Sequence, residues 1–76
     1  MKLTSKLWNE NREAITEETV LIDDCTMSQA FIAIESWCDE NNAIYPSTYN
    51  VWKDDGNIRI SITTIDLKYT NDFYIK

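Results

Sequence analysis

One stretch of this chain constrains its fold more than any other. In "TMSQAFIAIESWCDENN", residues Met27, Ala30, Phe31, Ile34, Trp37 and Cys38 recur three and four apart and form a single apolar stripe. Thr26 followed by Gln29 is a capping box: the Thr hydroxyl accepts the N–H of the third helical residue, and the Gln side chain reaches back to the Thr N–H. Cys25 sits just outside the cap, where it can pack on Ala30 as a hydrophobic staple. Asn41 and Asn42 suit the helix end, because Asn tolerates the left-handed conformation. The spacing predicts one amphipathic helix over 27–40. A helix with one apolar stripe must bury that stripe against another layer.

The neighbouring stretches supply that layer at a period of two. "TYNVWK" and "NIRISIT" are rich in aromatic and β-branched residues, and "DDGN" between them carries an Asp-Gly turn signal. Ile58, Ile60 and Ile62 share one face of the second strand, and Arg59, Ser61 and Thr63 share the other. Beyond Thr63 the phase slips, since Ile65, Leu67 and Tyr69 stand at odd positions. A bulge or bend near Thr63–Thr64 accounts for that slip, and "DFYIK" reads as a last short strand after a "TND" turn. "ETVLIDD" reads as a strand running into the helix. "KLTSKLW" alternates with Leu3 and Leu7 on one face and is read as a strand over 2–8 that pairs with "TVLID". A short helix over "SKLWNENREAI" is the alternative. The expected fold class is α+β: a small antiparallel sheet with one helix packed on one face, in the order β-β-α-β-β-β, forming a single domain over 1–76.

Composition bears on whether such a domain can hold together. A core of this size leaves roughly 3–5 kcal/mol of net stability without staples. Three Trp, four Tyr and two Phe, with many Ile, provide the apolar surface. Cys25 and Cys38 fall near opposite ends of the helix, too far apart for easy bridging, and are read as reduced and partly buried. With no His in the chain, there is no ligand set for zinc. The single Gly56 and single Pro46 argue against a linker or a Gly-rich phosphate loop. The longest apolar run, "AFIAI", is too short to span a bilayer, and "MKLTSKLW" lacks the apolar region of a signal peptide. The expected location is therefore the cytoplasm.

Catalytic chemistry has little to stand on. Ser-His and Cys-His nucleophiles require a His. The carboxylate pairs Glu17–Glu18, Asp23–Asp24 and Asp54–Asp55 are adjacent in sequence, so in a strand each pair points to opposite faces. Asp54–Asp55 is also explained by turn chemistry. The expectation is a protein without catalytic, cofactor-binding or metal-binding residues. Tyr and Trp rings can stack on single-stranded nucleic acid, but that requires a positive groove. The net charge is −6 and the basic residues never cluster along the chain, so direct binding to nucleic acid or an anionic membrane is disfavoured.

Charge is unevenly distributed. Residues 10–40 hold nine acids (Glu10, Glu13, Glu17, Glu18, Asp23, Asp24, Glu35, Asp39, Glu40) and one base, Arg12. Residues 41–76 hold four acids and four bases. A small domain keeps net charge for solubility, and acids near Thr26 suit a helix N-terminus. The second reason does not extend to Asp39 and Glu40, which stand where the helix dipole disfavours anions. A concentrated negative field speeds encounter with a basic surface, and basic surfaces are mainly those that hold nucleic acid. Trp52 faces the opposite side of its strand from Tyr49 and Val51, and Tyr74 the opposite side from Phe73 and Ile75. These rings are candidate aromatic anchors within a charged rim.

The start "MKLTSKLW", the strand "TVLIDD" leading into the capped "TMSQAF", and the late "DDGN" hairpin together resemble small acidic inhibitors of phages and mobile elements, including anti-CRISPR proteins. The abundance of Asn, Ile, Thr, Lys and Tyr is similar to that of AT-rich genomes. The resemblance implies binding to a nucleic-acid-handling enzyme and blocking of its substrate site, sometimes by DNA mimicry. It carries over no catalytic residue. The expected partner-binding residues are Glu17, Glu18, Asp23, Asp24, Glu35, Asp39, Glu40, Trp52 and Tyr74, and the expected partner is a basic nucleic-acid-processing enzyme. An immunity protein against a basic toxin and a self-associating assembly module are the alternatives.

Overall fold

Thr26 starts the helix as its sequence requires. In the computed structural model, Gln29 N donates to Thr26 Oγ1 at 3.2 Å and Thr26 N donates to Gln29 Oε1 at 2.9 Å. The structure describes residues 1–44, the backbone of 51–54, and residues 56–76. The elements are β1 (Leu3–Asn9), β2 (Thr19–Ile22), α1 (Met27–Glu40), β3 (Val51–Asp54), β4 (Asn57–Thr63) and β5 (Tyr69–Ile75). The chain is a mixed α+β domain in the order β-β-α-β-β-β. The strands form one antiparallel sheet in the order β2-β1-β5-β4-β3. The last strand thus inserts between the first hairpin and the second. That placement puts Ile60 opposite Phe73 and Leu3 opposite Ile75, on the face the helix covers.

The core lies between that face and the helix stripe. Leu3, Ala30, Ile34, Ile60 and Phe73 are completely buried, and Cys38, Ile62 and Ile75 are nearly so. Trp37 meets Phe73 edge-on, with centroids 5.7 Å apart and planes at 75°. Met27 and Phe31 pack half-buried against the same cluster. Cys25 and Cys38 are both free and buried, and Cys25 joins Ala30 in the core, as the staple position suggests. Asn41 caps the helix C-terminus, donating its N–H to Trp37 O at 3.0 Å, and Asn42 takes a positive φ of 52°. No helix among the described residues is long and apolar enough to cross a membrane.

Three local readings are decided by the structure. The amino end is a strand through Asn9, so the short-helix alternative does not hold. The chain there turns at Asn9–Glu13 and returns with Trp8 bridging Ala14. Of the bulge or bend expected near Thr63–Thr64, the bend is what occurs: β4 ends at Thr63 and the chain turns, while the irregular register lies between Leu3 and Thr4. "TND" lies inside β5, where Asn71 pairs with Leu7 and Ile62, and the turn falls at 64–68. Its scaffold is side-chain chemistry without Gly or Pro. Thr64 Oγ1 donates to Asp66 Oδ1 at 2.5 Å and accepts from Tyr69 N at 3.2 Å, while Lys68 N donates to the same Asp66 oxygen at 3.0 Å. Leu67 sits at φ 63°, so Ile65 and Leu67 belong to an exposed turn and not to a slipped strand. In the other hairpin, β3 pairs with β4 and Gly56 has φ 81°. The predicted start of that strand at 48–50, the Asp55 of its turn and the side chain of Trp52 lie outside the described residues.

Candidate functional site

The acidic residues fall into two groups set by different elements. Helix periodicity buries Ala30, Ile34 and Cys38, which turns Ile32, Glu35, Ser36, Asp39 and Glu40 outward. Ile32 is 63% exposed and lies one turn before Glu35 and Ser36. The helix has no basic residue in its last turn. Glu35, Asp39 and Glu40 form no ion pair among the described residues. The field of Asp39 and Glu35 acts inward as well: the Cys38 thiol is pushed above its ordinary value of 9.0, first by burial and then by those two carboxylates. Cys38 is therefore held as a thiol and is a poor nucleophile.

The second group brackets β2, which forms one edge of the sheet. Glu17 and Glu18 precede the strand, and Asp23 and Asp24 follow it. Here the structure supplies cations that the sequence separates widely. Lys76 Nζ reaches Glu18 at 2.8 Å, Lys2 Nζ reaches Asp23 at 3.8 Å, and the Met1 amino group reaches Asp24 at 3.7 Å. These are surface pairs of small energetic worth. They nonetheless lower the net field at this edge and leave the helix as the less compensated acidic surface. Val20 and Leu21, at 50% and 46% exposure, stand between the two carboxylate pairs.

Tyr74 lies on the sheet face away from the helix, half-buried, with Lys76 Nζ 5.5 Å from its ring centroid. In register, Trp52 pairs with Arg59, which pairs with Tyr74. Tyr74 thus does not join Glu35, Asp39 and Glu40 on the helix, whereas Lys76 links it to Glu18 beside the β2 edge. Sequence reasoning missed a feature of the helix-free face. Trp8, Arg12, Arg59, Thr63, Thr70 and Asp72 line a shallow trough of about 590 Å³. Ser61 Oγ donates to Asp72 at 2.5 Å, the Thr63 and Thr70 hydroxyls lie 3.0 Å apart, and Lys6 Nζ stands 4.5 Å from the Trp8 ring centroid. The alternation Arg59-Ser61-Thr63 was the available signal. Its neighbours on β1 and β5 depend on the strand order.

No group of three or more His, Cys, Asp or Glu side chains suited to a metal ion occurs among the described residues. No family model, curated protein or solved structure matches this chain.

Proposed function

We propose that this chain is a non-catalytic binding protein of inhibitor type, which docks an acidic surface on the basic nucleic-acid-binding site of a host or defence enzyme. The observation that carries this reading is the outer face of α1. Asp39 and Glu40 stand at the negative end of the helix dipole, with Glu35 one turn earlier on the same exposed side, and none of the three forms an ion pair among the described residues. An arrangement that opposes the helix is retained more readily if it serves an interface. Ile32 beside these carboxylates supplies an apolar contact within a charged surround. The carboxylates at the ends of β2 extend the negative field, so that a basic groove meets charge from both helix and edge strand. The same physics would serve an immunity protein against a basic toxin, and the anti-CRISPR-like resemblance favours the nucleic-acid enzyme.

The test is capture from host lysate on the purified protein, followed by elution in a salt gradient. One basic nucleic-acid-processing protein should be released at moderate salt. A variant carrying D23N, D24N, D39N and E40Q should associate more slowly, with a flatter salt dependence. Unchanged association by that variant refutes the docking surface. Self-association is the second reading and rests on the exposed edge strand β2 with Val20 and Leu21. It predicts a doubled mass in solution that salt hardly alters.

A further inference from the structure

The helix-free face differs in chemistry from the acidic helix and does not depend on it. Three rows of paired residues cross the central strands: Trp8–Thr70–Thr63, Lys6–Asp72–Ser61 and Thr4–Tyr74–Arg59. The trough opens over the first two rows and is bordered by Arg12 from the β1–β2 loop and Leu67 from the β4–β5 turn. Arg12 is held there by its backbone. It has φ 60°, its N–H donates to Asn9 O at 3.1 Å, and Asn9 Oδ1 accepts from both Asn11 N and Glu13 N at 2.9 Å. The Arg12 guanidinium forms no ion pair among the described residues, although Glu10 and Asp72 line the same trough.

We infer that this trough binds a free mononucleotide. Arg12, Arg59 and the adjacent Lys6 are interspersed with Glu10 and Asp72, so a bare anion meets carboxylates there as well as cations. The preferred ligand must offer acceptors to the Arg12 guanidinium and donors to the carboxylates. A nucleotide offers both, with a phosphate for Arg12 and Lys6 and ribose hydroxyls for Asp72, Thr63 and Thr70. Its base adds a flat ring for Trp8, where it would take the place of the Lys6 ammonium and free that cation for the phosphate. The volume lies within the roughly 300–1,000 Å³ usual for small-molecule sites.

A nucleic-acid strand fits less well. The rows of Trp8 and Tyr74 are four residues apart along β5, about 13 Å at the strand rise, which is longer than the step between stacked bases. The net charge of −6 also repels a polyanion far more than a single phosphate.

The experiment is an amide and indole NMR titration of the full ¹⁵N-labelled chain with AMP, adenosine, inorganic phosphate and a short oligothymidine in turn. AMP should produce saturable shifts at the Trp8 indole N–H and at the Thr63 and Thr70 amides, and should bind more tightly than adenosine or phosphate. R12N keeps a residue that tolerates positive φ and should weaken AMP about tenfold, the worth of one charge-assisted contact. The absence of saturable shifts with AMP overturns the inference. Equal binding of phosphate and AMP reduces the trough to an anion site and overturns the role of Trp8. Tighter binding of oligothymidine than AMP overturns the choice of a free nucleotide. Unchanged AMP affinity in R12N overturns the role of the guanidinium.

Discussion

Replacing Asp39 with Asn and Glu40 with Gln should make this protein more stable. Both side chains are exposed in the last turn of α1, where the dipole is negative and no basic residue offsets them. Neither takes part in the cap, because Asn41 donates both its N–H and its side-chain Nδ2 to Trp37 O, at 3.0 and 2.9 Å. The substitutions therefore remove an unfavourable field without removing a hydrogen bond. A misplaced charge at a helix end costs about 0.3–1 kcal/mol, and exposure places these two near the lower figure. Together they should contribute about 0.6–1 kcal/mol, which for a chain of this size raises Tm by roughly 2–8 °C. Thermal unfolding followed by circular dichroism at low ionic strength measures the shift. The gain should shrink with added salt as the field is screened. E35Q, one turn earlier, should give a smaller gain. If the double variant melts at or below the parent temperature at low salt, the two carboxylates support the fold, and their retention for docking loses its physical basis.

Three further outcomes follow from the same structure. T26A removes the acceptor for Gln29 N–H and should cost about 1 kcal/mol in denaturant unfolding; an unchanged midpoint would mean that the cap does not hold the helix. F73A empties the centre of the core and the Trp37 contact at a cost of about 3–5 kcal/mol, comparable to the whole stability of a chain this small, so its amide spectrum should collapse. I60V, at about 0.5–1.5 kcal/mol, should remain folded as its control. Asp66 is held below its ordinary value of 3.8, first by the Thr64 hydroxyl and then by the Lys68 N–H. A carboxyl with a lowered folded value contributes stability that is present above the unfolded value and lost as pH falls through the folded one. T64V removes the larger of the two causes and should reduce that acid-side component, while the Lys68 N–H retains part of it; an acid unfolding curve of unchanged shape in T64V would refute the assignment.

Local chemistry made much of the fold legible. The capping box, the Asn41–Asn42 terminus and the stripe from Met27 to Cys38 are interactions between residues three and four apart, so the helix can be read directly from the chain. The same holds for the β3–β4 pairing around Gly56 and for the core face Ile58-Ile60-Ile62. The 64–68 turn was not legible because Thr64, Asp66 and Leu67 build it with a hydroxyl, a carboxylate and one left-handed residue, in place of the Gly or Pro that marks most turns.

The functional surfaces divide along the same line. The acidic bias of residues 10–40 is a property of the sequence, as is its conflict with the helix dipole at Asp39 and Glu40. Which of those charges find partners was decided by strand order. Setting β5 beside β1 brings Lys76 to Glu18, and closing β2 onto β1 brings Lys2 to Asp23, leaving the helix carboxylates uncompensated among the described residues. Strand order also assembled the trough. Trp8, Arg12, Arg59 and Asp72 are scattered over more than sixty positions, and only the insertion of β5 between β1 and β4 gives them a common floor. Period and capping act over one or two turns of chain and can be read from it. Pairing of distant strands is settled by which apolar faces must be buried together, and that is a property of the folded whole.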